Sequence, residues 1–176
     1  QKAEAEALAS WLLPIVKTAG GEAAFDVSSM GVQVLGGAGY TREWPIEQNV
    51  RDARVLPVFE GTTGMQALDL VHRRVRKSDG AGLRAFLQVA REAAEASPVE
   101  EARHLSAALD LLEDGAARLR DMSGADANAG ATEFLSLAIA TAQGWVAARL
   151  TAADIDGETG EQLKEAARFV LSNVER

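Results

Sequence analysis

Glu60 sits among apolar neighbours, with Val55, Leu56, Pro57, Val58 and Phe59 before it and Gly61 after it. Apolar surroundings destabilise the charged form of a carboxylate, which makes it a stronger base near neutrality. A helix starting near Thr63 would place a positive dipole end close by and act in the opposite sense. On the residues alone two readings stand. Glu60 is a proton-abstracting base, or it decorates a turn ahead of a helix, which is the commoner situation for a carboxylate.

Other groups are weaker candidates. Gly36-Gly37-Ala38-Gly39 has the composition of a phosphate-cradling loop. It follows a helix and not a strand, so it does not match a dinucleotide fingerprint, and a helix C-cap explains it. Arg51-Asp52 and Arg54 suit an internal ion pair that fixes the loop, or else a substrate contact. The run His72-Arg73-Arg74-Val75-Arg76-Lys77 complements a helix C-terminus. His72 and His104 are too isolated for a metal site, and no Ser/His/Asp arrangement is spaced for nucleophilic catalysis.

The elements that must position these groups are helical. Ala5, Leu8, Trp11, Leu12 and Ile15 recur at helical spacing over Gln1–Lys17, with Pro14 inside and Gly20-Gly21 as the stop. A second helix is expected over Glu22–Leu35, ended by the glycines at 36–39. Tyr40–Trp44 reads as loop, Pro45 as the start of a short helix to Asp52, Ala53–Phe59 as extended, and Glu60–Thr62 as a turn. Thr63-Gly64-Met65-Gln66 fits a capping box for a helix ending near Ser78-Asp79-Gly80. Beyond Gly80 four amphipathic stripes follow: Leu83 to Ala90, Leu105 to Leu119, Phe134 to Ala148 and Leu163 to Val174. The breaks are Ser97-Pro98, a small-residue loop over Ser123–Gly130, and a turn over Asp154–Gly160. Short loops between such stripes suggest an up-and-down bundle.

Bulk composition narrows the function classes. Aromatic residues are 5% and Ala, Leu, Glu and Arg dominate, which favours helix over sheet. The net charge of −8 disfavours sequence-independent nucleic-acid binding, which needs a dense basic face. With no Cys there is no disulfide frame and no cysteine metal site, a pattern compatible with the cytoplasm. No apolar run reaches the ~18 residues of a membrane span. The N-terminal stretch carries early acids and too short an apolar run for a signal peptide. It starts without Met or a helix cap, as expected of a segment cut from inside a longer helix.

Taken together, the motif pieces form a pattern: Gln33, Leu35 to Gly37, Gly39-Tyr40, Glu43-Trp44-Pro45-Ile46-Glu47, Arg51-Asp52-Ala53-Arg54, Phe59-Glu60-Gly61-Thr62 and Gln66. In composition and spacing this resembles the C-terminal helical domain of the acyl-CoA dehydrogenases. The long helical tail is similar to the subfamily that carries a C-terminal extension. The resemblance implies an all-α fold: residues 1–78 as the C-terminal portion of the acyl-CoA dehydrogenase helical domain, and 79–176 as a helical extension forming a second up-and-down bundle. It implies an FAD enzyme that converts an acyl-CoA to a trans-2-enoyl-CoA, with Glu60 removing the α-proton while the β-hydrogen leaves as hydride. Gln33 and Gly37 match positions that approach the FAD of a neighbouring subunit, and Thr62 one near the cofactor. Gly61 would bound the slot for the flat enoyl-thioester. Gly64 stands where family members commonly carry a polar, cofactor-contacting residue, and it is not among the expected binding residues. Electron-transfer flavoprotein and a homo-oligomer, dimer or tetramer, are the implied partners. The family's N-terminal helical and β-domains are not matched here, so the segment alone is expected to be inactive. The alternative is a stand-alone helical interaction module derived from the family, without catalysis.

Overall fold

A computed structural model describes residues 2–174; Gln1, Glu175 and Arg176 lie outside it, including the first residue of the first expected helix. The described residues are helical, with no strand among them. Helix α1 spans Lys2–Leu35 without interruption, so the two expected helices are one. Pro14 is accommodated inside it, and Gly20-Gly21 do not stop it. Gly21 is buried because another segment crosses there: a Cβ would lie 3.3 Å from the Leu56 carbonyl carbon and the Pro57 nitrogen. The helix ends at Leu35, where Gly36 takes a left-handed φ of 59° and a 3-10 turn over Gly36–Tyr40 follows.

Helix α2 covers Ile46–Arg54 with Pro45 at its N-cap. The stretch expected to be extended is instead coiled. Leu56 N–H donates to Ala53 O, and Val58 and Phe59 N–H both donate to Val55 O. Pro57 is buried in this coil, and its missing N–H leaves no donor to satisfy. Helix α3 (Thr63–Asp69) is capped one residue earlier than the capping box suggested. Thr62 is the N-cap and its hydroxyl accepts from Met65 N–H, whereas Thr63 and Gln66 bond elsewhere. Its continuation, Leu70–Arg76, winds as π-helix, with Lys77 N–H reaching His72 O.

The extension forms α4 (Ala81–Ala96), α5 (Ala102–Asp121), α6 (Gly124–Ala129), α7 (Ala131–Ala152) and α8 (Gly157–Asn173). Helix α6 lies where a plain loop was expected; the Ser123 hydroxyl caps it by accepting from Asp126 N–H. Consecutive long helices of the extension pack on one another, and the first half of α1 packs on α4 and α7. One apolar cluster therefore takes Trp11 and Ile15 from α1, Leu70, Val71 and Val75 from the π segment, and Phe86, Leu109 and Leu135 from the extension. Trp11 stacks on Phe86 with centroids 6.3 Å apart and meets the edge of Phe134 at 6.4 Å. The second half of α1 behaves differently: Val27, Met30 and Val34 are exposed.

The basic run is a joint as well as a helix terminus. Arg76 donates to the carbonyls of Leu119 and Met122 at the end of α5, and Arg120 donates to Val75 O. Late-helix carbonyls of two elements are satisfied by each other's guanidinium groups.

Candidate functional site

Glu60 is the one described non-glycine residue with positive φ, at 55°. A left-handed conformation costs a residue with a Cβ ~1–2 kcal/mol. Gly61 follows at φ 97°, where glycine is free of that cost. Two successive left-handed residues reverse the chain sharply between the 55–59 coil and α3.

Side chains from two helices hold this reversal. Lys17 on α1 donates from Nζ to Gly61 O at 2.5 Å. Thr63 Oγ1 donates to Glu22 Oε1, also on α1, at 2.6 Å. Gln66 Nε2, one turn into α3, reaches back to Glu60 O at 3.2 Å. Both bonds from α1 involve a charged partner, and such bonds are worth ~1.5–3 kcal/mol each. Together they exceed the cost of the left-handed Glu60. Lys17 and Gly21 are one turn apart on α1 and Glu22 follows Gly21, so the turn is seated on one short stretch of the helix.

The Glu60 carboxylate is exposed, and no described residue donates to it. The apolar side chains around it also point outward: Val58, Phe59 and Met65 are all exposed. The apolar setting read from the sequence is therefore an open face in this chain.

Of the other candidate residues, Gly61 and Thr62 share the Glu60 turn; Gln33 and Gly37 do not. Gln33 lies sixteen residues beyond Lys17 on α1, or ~24 Å along the axis. Gln33 lines a separate cleft of about 580 Å³ with Val32, Tyr40, Arg42, Glu47 and Arg51. Gly37 is exposed, and a Cβ there would meet nothing within 4 Å. Arg51 pairs with Glu47 at 3.0 Å and not with Asp52. Its guanidinium holds the Glu47 carboxyl below the usual carboxylate range. Arg54 lies over the Phe25 ring at 5.2 Å, which ties α2 to α1. No cluster of metal-ligating side chains occurs among the described residues.

Lys17, Gly21 and Glu22 were missed by sequence reasoning. A signal was present in part, since Lys17 is a lone cation ending the apolar run of residues 11–16. Nothing local pointed to a contact 44 residues away.

Comparison with known proteins agrees with the motif pattern. The family model for the acyl-CoA dehydrogenase C-terminal domain matches residues 1–75. The 3-methylmercaptopropionyl-CoA dehydrogenase of Ruegeria pomeroyi is 38% identical over 82% of this chain and 26% of its own length. A broad-specificity linear acyl-CoA dehydrogenase of Mycobacterium tuberculosis is 40% identical over 41% of this chain and 12% of its own. The human mitochondrial short-chain specific acyl-CoA dehydrogenase is 40% identical over 35% of this chain and 15% of its own. The chain thus spans at most 26% of the length of these three relatives. The likeness to the Ruegeria protein extends well beyond residue 75, into the helical extension. The chain belongs to the acyl-CoA dehydrogenase family, with that family's C-terminal domain in residues 1–75.

Proposed function

We propose that this chain is the C-terminal part of an FAD-dependent acyl-CoA dehydrogenase, with Glu60 as the base that removes the α-proton of the acyl thioester. Residues 1–78 are the C-terminal portion of the catalytic helical domain and 79–176 the extension. The observation that carries the reading is the Glu60 turn: a left-handed carboxylate, clamped by α1 and α3, with its oxygens exposed and unpaired. An α-proton of a thioester is only weakly acidic, so the base must be placed closely and shielded from water. Clamping supplies placement. The shield is the part of the relatives' length that this chain does not span.

The residues present fit FAD. The Gln33 amide takes no hydrogen bond from a described residue and faces an open cleft, and the space beside Gly37 lets a ligand approach the backbone. When bound, FAD accepts the β-hydrogen as hydride. Glu60 takes the α-proton, and the product is the trans-2-enoyl-CoA. The ~17–24 Å of helix that separates Gln33 from Glu22 and Lys17, the α1 contacts of the Glu60 turn, supports two different flavins: Thr62 beside the subunit's own, and Gln33 with Gly37 toward a neighbour's, in a homo-oligomer. Gly61, with no side chain, bounds the slot for the substrate. The enzyme passes its electrons to electron-transfer flavoprotein and works in the cytoplasm. The described helices include none long and apolar enough to cross a membrane.

The test is Glu60→Gln in the full-length enzyme. Dehydrogenation of acyl-CoA should fall ~10²–10⁴-fold while flavin content is unchanged, because that is what a general base typically contributes. An active Glu60→Gln enzyme refutes the assignment of the base.

A further inference from the structure

We infer that Lys17 and Glu22 are positioning residues for Glu60: they hold the Glu60–Thr63 reversal on α1 so that its carboxylate is presented at a fixed place and angle. The inference rests on the reading of Glu60 as the base. Neither residue bonds Glu60 itself; each acts through the turn.

The geometry is specific. Lys17 grips the carbonyl of Gly61, the residue just after Glu60, and Glu22 grips the hydroxyl of Thr63, three residues on. Gln66 grips the carbonyl of Glu60 from the α3 side. The two α1 contacts bracket Thr62, which caps α3. The turn contains Glu60 in a conformation that a residue with a Cβ leaves readily when unrestrained. Gly61 adds backbone freedom at the same point. The Lys17 contact is one of three restraints, with those of Glu22 and Gln66, on a segment that would otherwise relax. It fixes the Gly61–Thr62 peptide while Gln66 fixes the Glu60–Gly61 peptide, and together they set where the Glu60 side chain leaves the turn. Gly21 completes the seat: the preceding coil lies so close to α1 at that level that a Cβ would press on its backbone at 3.3 Å.

Two variants separate positioning from packing. Lys17→Met keeps the apolar stem and removes the donor, while Lys17→Arg keeps a donor. The first measurement uses the 176-residue chain itself. In ¹⁵N relaxation, Glu60, Gly61 and Thr62 should show order parameters near ~0.85, falling below ~0.6 in Lys17→Met, with the bundle helices unchanged. Lys17→Arg should restore order. Unchanged order parameters in Lys17→Met overturn the inference. The second measurement uses the full-length enzyme. Lys17→Met and Glu22→Ala should lower kcat ~10–100-fold and move KM less than ~3-fold, since misplacement of a catalytic group is felt in the chemical step. Wild-type kcat in both variants also overturns it. If the wild-type enzyme lacks dehydrogenase activity, or Glu60→Gln retains it, the base assignment fails. The relaxation measurement on the chain then still decides whether Lys17 restrains the turn.

Discussion

At Gly20 a Cβ would meet nothing within 4 Å, whereas at Gly21 it would lie 3.3 Å from two backbone atoms of the 56–57 coil. Both sit inside α1, and both give up the ~1 kcal/mol that Ala gains over Gly in a helix. At Gly20 nothing compensates, so Gly20→Ala should raise stability by ~0.5–1 kcal/mol. At Gly21 the crossing compensates. Gly21→Val should lower stability by ~1–3 kcal/mol, because its extra carbons must displace backbone and not a flexible side chain. Thermal denaturation of the two variants checks the pair, and shifts of the same sign would show that Gly21 is not a packing glycine. Adjacent glycines are the usual stop signal for a helix, so residue-level reading of the sequence ends the helix there. The crossing is a tertiary fact, contributed by residues 35 positions away, and has no local trace. Glu60 was legible for a different reason. Its neighbours and spacing form a multi-part pattern in one continuous stretch, although the exposure of its carboxylate was not visible in the apolar run before it.

Among the elements, α5 shows most directly what periodicity can tell. Leu105, Ala108, Leu109, Leu112 and Ala116 lie on one face and are fully buried, while Leu111 on the opposite face is 54% exposed. Leu109→Asp places a charge without a partner in that core and should cost ~4 kcal/mol or more, unfolding or detaching the extension. Leu111→Asp on the same helix should change stability by less than ~0.5 kcal/mol. Circular dichroism melts of both variants test this, and a wild-type melt for Leu109→Asp would mean that the stripe is not core. Strong 3.6-residue patterns of this kind made the long helices of the extension readable. Short or irregular elements were not. The 55–59 coil reads as extended because Val and Pro favour that state, yet its amides close turns onto Ala53 and Val55. Helix α6 is built of small residues with no apolar stripe, and its cap at Ser123 was its one signal. The π-helical stretch keeps apolar residues at nearly the same spacing as an α-helix, so periodicity does not distinguish the two. The link between α4 and α5 is likewise invisible in sequence: Arg91 reaches Asp110 and Glu113, both at 2.8 Å. Those bonds, Glu113 first and then Asp110, hold the guanidinium proton more firmly than usual.

At the scale of the whole molecule, the buried and the exposed apolar residues separate by region. Trp11, Phe86, Leu109 and Leu135 lie in one core, whereas Val34, Tyr40, Trp44, Phe59 and Met65 are all open to solvent. Val34, Tyr40 and Trp44 lie close in sequence to Gln33 and Gly37, and Phe59 and Met65 close to Glu60, and exposed apolar groups of this kind suit a partner surface. FAD is a large ligand, and tight binding needs most of its surface buried in a concave site. Gln33 and Gly37 lie apart from Thr62, and the three offer only a few polar and backbone contacts on open surface. The purified 176-residue chain should therefore carry no stoichiometric flavin, and added FAD should leave its melting temperature almost unchanged. A ligand bound at 100 times its dissociation constant would stabilise the fold by ~2.7 kcal/mol, which is readily seen in a melt. The full-length enzyme should be yellow and should lose stability when its flavin is stripped. Visible absorbance and thermal shift on both proteins make the comparison. A yellow 176-residue chain would mean that the open face closes on itself, or on a second copy, and forms the flavin site without the rest of the relatives' length.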